Sequence, residues 1–124
     1  MIKYTLAPDI DLQIRNIARR LKINHDFSRI VCVRSYGSKS KYVIARCHSL
    51  PRIMQFALNI KTHYVIEIIS ERFDKMSEEE KTKTLIHELM HIPKAFGGGF
   101  KYHNVVNKKN IDKLYKKMMT KVMC

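Results

Sequence analysis

Tryptophan is absent from the 124 residues, and glycine (four), proline (three) and cysteine (three) are scarce. No repeat or low-complexity tract is present. Cys32, Cys47 and Cys124 cannot all pair within one chain, which excludes a disulfide framework and predicts free thiols in a reducing compartment. No apolar run reaches the ~20 residues of a membrane span, and no signal-peptide pattern stands ahead of the first helix. The expectation is therefore a cytoplasmic protein with no membrane partner. Acidic residues are also few, 11 against 24 Lys and Arg, for a formal charge of +13. Such a charge can attract nucleic acid. No recognition helix, aromatic ribonucleoprotein motif or phosphate-binding glycine loop accompanies it, so a nucleic-acid-binding module is only a rival reading.

The chain does have enough apolar side chains for one small core, at 45% apolar and 28% charged. Its charge is uneven: residues 1–62 carry +9, residues 63–92 carry −3 and residues 93–124 carry +7. Apolar spacing predicts a helix over 10–22 capped by Asp9, with Ile10, Ile14, Ile17, Ala18 and Leu21 on one face. β-branched runs predict strands over 29–36, 42–47 and 63–70, with a helical turn over 51–59. In the third strand Tyr64, Ile66 and Ile68 share one face, while Val65, Glu67 and Ile69 form a face at most half buried. A capping box, Ser77 and Glu80, opens a helix that Pro93 ends near Ile92. Gly97–Gly99 make a flexible turn. A last helix over 105–123 carries the stripe Ile111, Leu114, Tyr115, Met118 and Val122. The class is α+β.

The chemistry concentrates in His87-Glu88-Leu89-Met90-His91. Residues four apart on a helix lie ~40° apart and one turn along, so His87 and His91 can offer two imidazole nitrogens to a single ion. Glu88 lies ~100° round from His87, where it can reach a water beside that ion. This is a metallopeptidase pattern with a mechanism behind it. A catalytic zinc needs a third protein ligand and an open position. Gly97 stands where a metzincin would have its third histidine, and no glutamate follows Glu88. The downstream candidates are His103, which the glycines could bring back, and Asp112.

The segments 64–74 (YVIEIISERFD), 85–93 (LIHELMHIP) and 96–99 (FGGG) together resemble the minigluzins, very small soluble metallopeptidases of archaea and bacteria. The resemblance covers about residues 29–105. It implies a minimal zincin: an N-terminal backing helix, a small three-stranded sheet, an active-site helix and a C-terminal helix. It implies one catalytic zinc on His87, His91 and a third histidine, matching His103. It also implies a latent chain, with a catalytic domain over 1–103 and an inhibitory or swapped helix over 104–124. The related membrane-embedded CAAX-type peptidases have membrane helices that this chain lacks.

In that reading Glu88 is the general base of a zinc endopeptidase acting on peptides or unfolded protein. A non-catalytic zinc-binding regulatory domain is the alternative. Candidate oxyanion donors are Tyr102, Tyr115, Arg46 and His48. The strand His63–Ser70, directly before the motif helix, is expected to take substrate as an added strand. Glu67 and Glu71 are rim candidates or solvated charges. His25 and His48 lack metal spacing. Met118, Met119 and Met123 read as packing residues, and Cys124 could reach the zinc's open position. The stripe of the last helix either closes the core or drives self-association.

Overall fold

The computed structural model describes residues 1–93 and 106–122. Within them the order is β1 (Lys3–Leu6), α1 (Pro8–Leu21), β2 (Ile30–Tyr36), β3 (Ala45–Ser49), α2 (Arg52–Leu58), β4 (Tyr64–Ile69), α3 (Ser70–Phe73), α4 (Glu78–His91) and α5 (Lys108–Val122). The architecture is α+β, as the sequence predicts. The sheet has four strands, in the order β1-β2-β4-β3. β1 was not foreseen. It pairs antiparallel with β2, Leu6 opposite Val33, yet all four of its residues are exposed. A fully exposed edge strand leaves no buried alternation to read.

α1 starts differently from the expectation. Pro8 occupies its first turn, where a missing N–H is harmless, and Ala7 stands at the cap without a side-chain bond. Asp9 turns instead to the Arg34 guanidinium, at 2.7 Å. Arg34 also donates to both Asp74 oxygens, at 2.8 and 3.0 Å. One arginine thus ties the start of α1 and the turn before α4 to the end of β2.

The core lies between one sheet face and α1, α4 and α5. Ile10 and Ile14 meet Cys32, Ile66 and Ile68 of the sheet and Leu85, Ile86 and Leu89 of α4. Ile111 and Met118 of α5 are buried in the same cluster, with Leu114 and Tyr115 packed against it. Ile111, Leu114, Tyr115 and Met118 of the predicted stripe therefore close the domain's own core. Of the three C-terminal methionines, Met118 is buried and Met119 is exposed; Met123 and Cys124 lie outside the described residues.

β4 occupies the interior of the sheet. It pairs parallel with β2, Ile30 opposite Tyr64, and antiparallel with β3, Cys47 opposite Ile66. The face expected to be half open is covered at Glu67 and Ile69, which are buried, while Val65 is half-buried. Both points correct the expected role of this strand. With neighbours on both sides, its backbone groups have no capacity for an added peptide. Among the described residues, the sheet edge beside α4 belongs to β3.

Candidate metal centre

Ser77 fixes the start of α4: its hydroxyl accepts the Glu80 N–H at 3.2 Å, and three glutamates fill the positive first turn. Leu85, Ile86 and Leu89 bind the helix to the core. That burial sets its rotation, and the rotation aims His87 and Glu88 into a cleft of about 890 Å³. Tyr42–Ala45 form one wall of the cleft, and Val106, Asn107, Lys108, Ile111 and Asp112 form the other.

His87 and His91 converge as the spacing predicts. Their Nε2 atoms are 3.0 Å apart and the rings meet edge to face, with centroids at 4.8 Å. Two nitrogens each ~2.1 Å from one tetrahedral ion stand about 3.4 Å apart, so a small ring rotation suits the pair to a shared metal. Glu88 is 5% exposed. Burial pushes its carboxyl up to about 7. Cys47 of β3 adjoins it: burial and then the Glu88 charge push that thiol up to about 12. Cys32 and Cys47 are free cysteines, and burial also takes Cys32 to about 12, so both stay protonated at neutral pH.

His103, the predicted third ligand, and Tyr102 lie outside the described residues. Among the described residues no three His, Cys, Asp or Glu side chains gather at one point. Asp112 reaches the same cleft, but its carboxylate meets the Lys83 ammonium at 3.0 Å, one helical turn before His87. Tyr115 lies under the same ammonium, 5.1 Å from its ring centroid. His25 lines a separate cavity of about 510 Å³ with Met90 and Ile92.

Arg46 and His48 are corrected as oxyanion candidates. Strand residues alternate between faces, and Cys47 takes the core face of β3. Its two neighbours therefore point away from α4, and His48 Nε2 meets Glu67 Oε1 at 2.8 Å on that outer side. Burial raises the Glu67 pKa, but bonds from His48 and Ser35 more than offset it and hold the carboxyl below 4.5. Glu67 is thus a buried, paired group and not a rim charge. Glu71 is exposed and accepts the Gly37 N–H at 3.1 Å. The sequence reading missed Tyr42–Ile44 as a cleft wall. They follow from recognising β3 as the hairpin partner of β4, which places the preceding residues beside α4.

Residues 2–122 match the family described as "Putative phage metallopeptidase". The chain belongs to this family. A metallopeptidase family implies a metal cofactor, and the convergent His87–His91 pair is the donor set within the described residues that suits one. The phage metallopeptidase assignment covers both the sheet and α5, so it extends well beyond the histidine motif. No curated protein and no solved structure matches the chain. No helix among the described residues is long and apolar enough to cross a membrane.

Proposed function

We propose that this metallopeptidase is a zinc-dependent endopeptidase of the minigluzin kind. His87, His91 and His103 would hold the ion, with Glu88 as general base. The observation that carries the reading is two imidazole nitrogens 3.0 Å apart, with His87 of that pair lining the same cleft as the buried Glu88 carboxyl. A zinc ion there would polarise the scissile carbonyl and lower the pKa of a water towards ~7. Glu88 accepts the proton of the attacking water and delivers it to the leaving amine. Its burial supports that role, because desolvation raises a carboxylate's affinity for a proton. The protonated Cys47 thiol beside it adds no competing negative charge.

The substrate is an extended peptide laid along β3. Among the described residues that strand has β4 as its one neighbour in the sheet, and residues 42–45 wall the cleft. Edge-strand addition would supply backbone hydrogen bonds without selecting a sequence. The start of α5 forms the opposite wall. We read the 124-residue chain as latent, with 104–124 obstructing the cleft while Ile111 and Met118 stay in the core, and able to mediate self-association by exchange of that helix between copies. The test pairs zinc content by elemental analysis with digestion of a denatured protein by wild type, Glu88→Gln and truncations ending between Asn110 and Lys121. A zinc-loaded wild type and truncations that are all folded and inert would refute the peptidase reading.

A further inference from the structure

α2 is inverted with respect to an ordinary surface helix. It stands in the β3–β4 connection, which is closed at its base by the Leu50 N–H donating to the His63 carbonyl at 3.1 Å. The side chain it turns inward is polar. The Gln55 amide donates to the Leu50 carbonyl, and its Oε1 accepts from the Thr62 hydroxyl, both at 2.9 Å. Its apolar side chains face water: Ile53 is 74% exposed, Phe56 87% and Leu58 56%, with Met54 and the following Ile60 also exposed. At 100° per residue, positions 53, 54, 56, 57 and 58 sweep an arc of about 200°.

The helix nevertheless has a defined end. Asn59 takes the left-handed conformation, φ 54°, and the N–H groups of Asn59 and Ile60 return to the Phe56 and Gln55 carbonyls. Polar bonds hold α2 in place, so its apolar side chains are not needed for the fold. An exposed apolar cluster of this kind on a small domain marks a contact surface.

Charge selects the occupant. From residue 27 to residue 66 the chain has seven Lys or Arg and no Asp or Glu. Arg29 is paired with Asp26, and Arg34 with Asp9 and Asp74, so the charge that counts is that of the cations flanking α2. Arg52 opens α2 and Lys61 stands just beyond it, both exposed. An apolar wedge between two cations fits an anionic phospholipid surface, where aliphatic and aromatic groups enter the acyl boundary and the cations meet phosphates. Nucleic acid offers phosphates and bases that could stack on Phe56, but a bilayer receives Ile53, Met54 and Leu58 as well, across the whole arc of about 200°. A second copy would bring one acid-free basic segment against another. We infer that α2 is a peripheral docking element for anionic lipid bilayers, with Ile53 and Phe56 as the inserting side chains. This rests on neither the metal nor the peptidase activity.

The test is flotation of the full chain with phosphatidylcholine vesicles, with and without phosphatidylglycerol. Binding should be about tenfold or more stronger with phosphatidylglycerol. The double variant Ile53→Ser/Phe56→Ser should lose about tenfold or more while its circular dichroism stays unchanged. Arg52→Glu/Lys61→Glu should lose the preference for anionic lipid. Three results would overturn the inference: no vesicle binding by wild type, equal binding by the apolar variant, or binding to DNA or to a second copy in place of vesicles.

Discussion

At the scale of single residues, the site separates holding a metal from moving a proton. His87 and His91 converge whatever stands at position 88, so Glu88→Gln should retain the metal by elemental analysis. Peptide hydrolysis should fall ~10²-fold or more, the usual effect of losing a general base. The third ligand can be decided the same way. Asp112 is engaged by Lys83, so Asp112→Asn should leave metal content unchanged, whereas His103→Ala should lower it sharply. Glu67 gives a prediction in pH. Its folded pKa lies below the ordinary 4.5, so its stabilisation is fully present above that value and drains away as pH falls through the folded pKa. The thermal midpoint of wild type should exceed that of Glu67→Gln at pH 6 and lose that advantage towards pH 3. The histidine pair was legible in the sequence because helical spacing is a local fact. The burial of Glu67 was not, because it depends on His48 and Ser35 from two other strands.

At the scale of elements, the strongest local signals gave the firmest readings. The capping box and Pro93 bracket α4 to within a residue or two of its observed ends. Ser77→Ala should cost about 1 kcal/mol, read as a fall of a few degrees in the thermal midpoint. β3 was legible as a strand but displaced by two or three residues, since Tyr42-Val-Ile has a stronger β-forming character than Ala45-Arg-Cys. The position of β4 was not legible at all. Its near-continuous apolar sequence fits an interior strand, but Glu67 disguised it as one with an open face. The Asp9 carboxylate was misread as a cap for a comparable reason: a cap is a local inference, and Arg34 lies 25 residues away.

At the scale of the molecule, a metal that binds the folded chain alone stabilises it by mass action, about 4 kcal/mol at a thousand times its dissociation constant. Stripping the protein with a chelator should therefore lower its thermal midpoint by roughly 10 °C or more, and adding zinc back should restore it. The α+β class was readable from periodicity, but the strand order was not, and the stripe of the last helix left open whether it closes the core or self-associates. That order also governs how the molecule comes together in time. β2 and β3 do not touch as neighbours; β4 lies between them and emerges later from the ribosome than either. Until residue 69 has been made, the first half of the chain can pair only β1 with β2. The sheet is then completed when β4 pairs with β3 on one side and β2 on the other, and α4 follows at once. The β3–β4 hairpin closes over a short span, with Ser49 opposite Tyr64, whereas the parallel β2–β4 pairing joins Ile30 to Tyr64 across more than thirty residues, so the second should be the slower step. The motif histidines gain a fixed backing only after that step, so a half-made chain carries no assembled centre with which to attack its neighbours.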